Sequence, residues 1–240
     1  MSHIEFIGPP GSGKTTIYTE LLKRKDNFIS PKGIDVLARY ISSNSILAAT
    51  ASRAPDPARS VILNHLYKHR ACQSLFEQFV ASQKTYLSLI DEARSAVHVD
   101  SDYLYPAFYR SGWRYQLGIE TASTAETVVL EQAFCHRAVS ISWRASTSSP
   151  PISDFYERIP LPDQLIYVHA PVETCLERQH DRNGVVVQKD WISDDAVAQQ
   201  TLSELCDQIA TEAENHGVEV IYVDNTGSVD DAVASVEDVF

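Results

Sequence analysis

The chain of 240 residues carries 32 acidic against 20 basic side chains, a formal charge of −12, which argues against nonspecific association with nucleic-acid phosphates or an anionic membrane. With 44% apolar and 22% charged residues it has the composition of an ordinary globular protein, and residues 1–240 fit one domain with an insertion better than two domains. It shows no secretory signal pattern and no run near the ~20 apolar residues of a membrane span, so a soluble cytoplasmic protein is expected, with the link between acidity and a salty cytoplasm left open.

Ile4, Phe6 and Ile7 form a short apolar run that stops at Gly8, and Thr15 to Leu22 then follows helical spacing: strand, loop, helix. Gly33 to Leu37 is taken as a second strand, placing Asp35 at its end. Leu75, Phe79, Tyr86, Ile90, Ala93 and Val97 recur at helical spacings within a stretch too long for a simple crossover. Residues 41–126 are therefore expected as a helical lobe inserted at the sheet edge, walling the acceptor side of a cleft.

Thr127 to Leu130, Leu165 to Val168 and Val218 to Val223 have the β-branched content of buried parallel strands, and Ala145 to Asp154 reads as a Ser/Thr/Pro-rich loop. Pro171 suits a first helical turn and Gly184 a helix end, so a lid-like helix is expected over 172–184. The fold class is α/β: a five-stranded parallel sheet with helices on both faces, three layers in all. Cys72, Cys135, Cys175 and Cys206 are scattered without zinc-site spacing and read as reduced thiols.

Gly8-Pro9-Pro10-Gly11-Ser12-Gly13-Lys14-Thr15 matches the phosphate-loop pattern G-x-x-x-x-G-K-[ST], with Thr16 continuing into the helix. Glycines let successive N–H groups turn inward around a β-phosphate, and the helix start adds partial positive charge. Lys14 supplies a full charge to the β- and γ-oxygens, and Thr15 offers a hydroxyl to Mg²⁺. The ligand implied is ATP with Mg²⁺. Glu131, directly after the Thr127 to Leu130 strand, lies at the carboxyl edge where ligands gather, and can hold a Mg²⁺-bound water.

Four segments resemble the P-loop kinases of small molecules, especially the thymidylate-kinase-like and nucleoside-kinase-like group of the P-loop NTPase superfamily. They are IEFIGPPGSGKTT, VVLEQAFCHRAVSI, LPDQLIYVHAPVETCLERQHDRNG and VEVIYVDNTGS; the helical segment matches nothing comparable. Such kinases commonly have Asp, or Asp-Arg, where this chain has Glu131 and Gln132, so Arg137 is the candidate for the missing charge. The resemblance further implies that Arg178 and Arg182 close on the transferring phosphate and that the loop at Asn225 lies against the adenine.

On the acceptor side, Tyr105, Tyr109 and Trp113 recur every four residues beside Arg110 and Arg114, either as core or as a stacking platform with cations for an anionic acceptor. Asp35 is the candidate base for a hydroxyl acceptor. The two chemistries stay open. The leading expectation is a phosphotransferase from MgATP to a small molecule, without nucleic-acid or membrane partners and with a homodimer left open. The alternative is a regulatory NTPase or switch, although no N-K-x-D guanine motif is present.

Overall fold

The computed structural model describes residues 3–44, 68–98, 100–182, 194–237 and 239. Strands β1 (His3–Ile7), β2 (Phe28–Ile29), β3 (Thr127–Leu130), β4 (Gln164–His169) and β5 (Glu219–Asp224) form one parallel five-stranded sheet in the order β2-β3-β1-β4-β5. Ile4 stands opposite Val129, Phe6 opposite Ile166 and Val168 opposite Val223. Covering both faces of a parallel sheet is what makes its strands read as continuous apolar runs.

The described helices are α1 (Lys14–Arg24), α2 (Ile34–Asn44), α3 (Lys68–Ser82), α4 (Tyr86–Ala96), α5 (Ser101–Thr121), α6 (Phe134–Ala145), α7 (Val172–Asp181), α8 (Asp195–Asn215) and α9 (Val229–Glu237). On one face Ile4, Phe6 and Ile166 pack with Ile17 and Leu21 of α1 and Val233 of α9. On the other, Ile7, Val128 and Leu165 share a core with α2 to α6 and α8. Each fully buried aliphatic or phenyl side chain contributes about 1.5–3 kcal/mol, so both layers are bound firmly to the sheet.

Leu75, Phe79, Tyr86, Ile90, Ala93 and Val97 are buried, and they belong to the same core as the sheet face rather than to a core of their own. Phe79 lies 4.7 Å from Tyr86 and 5.7 Å from Phe134, ring centre to ring centre, tying α3 and α4 to α6. Helix α5 approaches β3 so closely that a Cβ on Gly118 would run into the Val128 side chain. Residues 45–67 of the expected lobe lie outside the described residues.

The second strand is not where the sequence placed it. Gly33 to Leu37 opens helix α2, and β2 is the two-residue Phe28–Ile29. The physical reason is the spacing of Val36, Leu37, Tyr40 and Ile41, which puts four buried side chains on one helical face. Asp35 therefore occupies the first turn of a helix, exposed, where the positive end of the helix favours a carboxylate. Helix α7 begins at Val172 as expected and is described to Asp181; Asn183 and Gly184 lie outside the described residues.

Candidate active site

The loop between β1 and α1 has the form its glycines allow. Gly11 (φ 82°) and Gly13 (φ 93°) occupy left-handed backbone that other residues rarely adopt, and a Cβ on Gly11 would strike the Cys175 backbone. Gly13 caps α1 without any side-chain oxygen, and no acidic residue stands in the first turn, so the helix start keeps its positive character. Thr16, half-buried, extends that turn by donating its N–H to the Gly13 carbonyl at 2.9 Å.

The loop carbonyls are held by side-chain donors. Gln199 of α8 donates to the Pro10 carbonyl at 2.9 Å, and Gln179 of α7 does so at 3.3 Å. Asn225 donates to the Ser12 carbonyl at 2.7 Å, and Arg178 reaches the carbonyls of Ser12 (3.4 Å) and Asn225 (3.0 Å). The Lys14 ammonium donates to the Pro9 carbonyl at 3.4 Å. Together these bonds fix the course of the loop between β1 and α1.

Lys14 is buried, and burial holds its ammonium below its ordinary pKa, with the Arg182 guanidinium pushing the same way. A triphosphate would return the favourable charge that this lysine lacks in its own surroundings. Arg182 is exposed at the end of α7, while Arg178 is half-buried with its hydrogen bonds on the loop itself.

Glu131 leaves β3 buried and accepts a hydrogen bond from the Thr15 hydroxyl on Oε1, while Lys32 pairs with its other oxygen. One hydroxyl and one carboxylate, facing each other beside a phosphate loop, are the few hard oxygen donors that Mg²⁺ takes from protein when phosphates and waters supply the rest. Thr15 and Glu131 therefore fit the ion. Among the described residues no cluster of three or more His, Cys, Asp or Glu forms a metal cage of its own.

Helix α6 is aligned from beneath by Glu5 of β1, which is fully buried and accepts the backbone N–H groups of Phe134 (3.1 Å) and Cys135 (2.8 Å). A charged acceptor at a helix start is favourable, and this one fixes the turn that presents Glu131. From α6, Arg137 is buried with Nε on the Ala133 carbonyl and Nη2 on the Gln132 carbonyl. Arg114 of α5 is half-buried, its guanidinium 5.4 Å from the Trp113 ring, and Arg110 is exposed. Of the aromatic stripe, Trp113 is core, Tyr109 is half-buried against Phe76 at 4.6 Å, and Tyr105 is exposed.

A cavity of about 300 Å³ opens beside Pro9, Pro10 and Lys14, walled by His136, Val139 and Trp143 of α6 and by Leu202 of α8. That volume is at the lower end for a small-molecule site. His136 is held neutral: burial lowers its pKa well below the ordinary value, and Arg137, Lys14 and Arg144 push it further. Arg144 stacks on Tyr103 at 4.4 Å along the same wall. Sequence reasoning singled out none of these wall residues. The available signal was their i, i+3, i+4, i+7 spacing directly after Glu131, which marks one helical face.

No protein-family model and no curated protein sequence matches the chain. Solved structures similar to it include deoxyadenosine kinase from M. mycoides with bound dCTP, at 13% sequence identity and a TM-score of 0.49 over 99% of this chain and 97% of that one. The same enzyme with bound dATP is similar at 12% identity and a TM-score of 0.49, over 99% and 98%. The likeness is one of overall arrangement, and the chemistry of this chain has to come from its own side chains. No described helix is long and apolar enough to cross a membrane.

Proposed function

We propose that the protein is an MgATP-dependent phosphotransferase that moves the γ-phosphoryl group to a small molecule held beside the phosphate loop. The observation that carries this reading is the meeting of Thr15 and Glu131, with the buried Lys14 the residue before Thr15 in the chain. It supplies two hard oxygen donors and a buried cation of the kind a magnesium–triphosphate complex needs, on a loop whose carbonyls are held by side-chain donors.

Bound Mg²⁺ would supply charge neutralisation at the phosphate oxygens, with Thr15 and Glu131 holding it. Lys14 would supply charge to the β- and γ-phosphates, and Arg178, bonded to the loop, and Arg182, electrostatically coupled to Lys14, would add to it. In phosphoryl transfer, positioning and electrostatics account for nearly all of the catalysis, and the site is built from those elements. The cavity against α6, emptied of water by an acceptor, offers that acceptor an apolar wall at Val139 and Trp143.

The test is to incubate purified protein with ATP labelled in the γ-phosphate and pools of nucleosides, nucleotides and sugars. Label transferred to one pool, with ADP formed only in its presence, supports the proposal. Slow release of label to water regardless of the pool would contradict it.

A further inference from the structure

A chain of net charge −12 would be expected to pair its buried cations, yet the half-buried Arg114 and the buried Arg137 are left without carboxylates among the described residues, and the exposed Arg110 acts electrostatically on both. Arg110 and Arg114 project from α5 and Arg137 from α6, and none of them forms an ion pair among the described residues. Arg137 is 4% exposed with Nη1 buried and unpartnered, and Nε of Arg114 is likewise buried without a partner. The groups repel one another: burial lowers the Arg114 pKa first, then Arg110, with Arg137 acting in the same direction. The one carboxylate lining the recess at Arg114 is Glu131, already engaged by Lys32 and Thr15.

Leaving a buried charge uncompensated is strongly destabilising, of the order of 3–5 kcal/mol where a partner has been removed. An arrangement that persists at such a cost stands ready for a ligand that brings the missing charge. We propose that Arg110, Arg114 and Arg137 form a receptor for a phosphomonoester, so that the acceptor of the phosphoryl group is itself a phosphorylated small molecule. The inference rests on the kinase reading above and names its substrate class.

Charge selects phosphate over carboxylate. Guanidinium forks match both groups in shape, but a phosphomonoester brings roughly −1.5 to −2 at neutral pH, nearer to what three cations need. The recess itself is only about 10 Å³ with Lys32 along its wall, so a phosphate enters as Lys32 leaves Glu131 and joins the cations around it. Gln132 lines both this recess and the larger cavity at Lys14, which places the receptor alongside the transferring group.

The chemistry balances without a base. An oxygen of the acceptor phosphate, already ionised, forms the new bond to the γ-phosphorus. The bond from that phosphorus to the β–γ bridging oxygen breaks, its electron pair leaves with ADP, and no proton has to move. This agrees with Asp35 lying on helix α2 rather than at a strand end.

The experiment pairs each candidate acceptor as free alcohol and as phosphomonoester: nucleosides with their 5′-monophosphates, glucose with glucose 6-phosphate. Acceptor-dependent ADP is expected only from phosphorylated members. In Arg114→Met the acceptor KM should rise about 30-fold or more, as for loss of a charged hydrogen-bonded contact, with the ATP KM within two-fold; Arg114→Lys should recover part of the loss. The empty Arg114→Met protein should be no less heat-stable than wild type, a result that a merely structural arginine would not give. Turnover of the alcohols alone, or an unchanged acceptor KM in Arg114→Met, would overturn the proposal. If no acceptor in the panel reacts, inorganic phosphate is titrated onto protein saturated with a non-hydrolysable ATP analogue. Binding that disappears in Arg114→Met supports the receptor, and absence of binding in wild type overturns it. Failure of the analogue itself to bind would instead strike the phosphate-loop assignment.

Discussion

Replacing Gln199 by methionine removes a donor from the back of the phosphate loop while keeping the volume of the side chain. Gln199 is 1% exposed; its Nε2 donates to the Pro10 carbonyl at 2.9 Å and its Oε1 accepts from Gln179 at 3.1 Å. A neutral buried hydrogen bond contributes about 1 kcal/mol net, so losing both comes to about 2 kcal/mol. Gln179 still reaches Pro10, though at 3.3 Å, so the carbonyl is weakened in its hold rather than freed. If this tether on the Pro10 carbonyl is what keeps the loop competent for anions, the loss falls on nucleotide affinity, by up to about 30-fold. Calorimetric titration of a non-hydrolysable ATP analogue into both proteins, with a thermal melt of each, measures how the loss divides. Gln199→Glu should bind still more weakly, because a carboxylate would face the same carbonyl. Wild-type affinity in Gln199→Met together with an unchanged melting temperature would show that the loop needs no such support.

Other outcomes follow from individual contacts. Glu131→Gln should leave nucleotide affinity nearly unchanged but depress turnover most at limiting Mg²⁺, and a magnesium titration of initial rates giving wild-type curves would count against the metal role of the Thr15–Glu131 pair. His136 has a folded-state pKa held well below 6.5, so below pH 6.5 the unfolded chain takes a proton that the folded one refuses. Stability is then lost as pH falls from that value, by up to about 1.4 kcal/mol per pH unit, and His136→Asn should show a shallower decline in denaturant melts between pH 6.5 and 5. Gly118→Ala should push α5 off Val128 and cost about 1–3 kcal/mol, which thermal melts would show as a fall of several degrees.

The parts of the site that sequence makes legible are those where chemistry fixes the residue type. Gly11, Gly13 and Lys14 are constrained by backbone angle and charge, and Glu131 by its place after an apolar strand, so their positions in the β1–α1 loop and at the end of β3 could be read before any coordinates, while their roles rest on the proposed function. The two-residue β2 could not, because Phe28 and Ile29 are too few to show a period, while the alternating look of Gly33 to Leu37 hid the helical spacing that continues to Ile41. Gln179 and Gln199 were illegible for a different reason: a neutral amide on a helix has no pattern until the helix is packed against the loop it serves. Asn225 was linked by resemblance to the adenine side, and the structure shows its amide on the Ser12 carbonyl. The cavity wall on α6 required knowing that Leu202 and Pro9 face it.

The most direct measurement is the affinity of the non-hydrolysable ATP analogue, with Mg²⁺, for wild-type protein and for Lys14→Ala. Because the buried ammonium is held below its ordinary pKa until an anion joins it, binding should be strong in the first and at least 100-fold weaker in the second, with both proteins equally folded by circular dichroism. Equal affinity in the two proteins, or no binding to wild type, would contradict the assignment of this loop to a nucleotide.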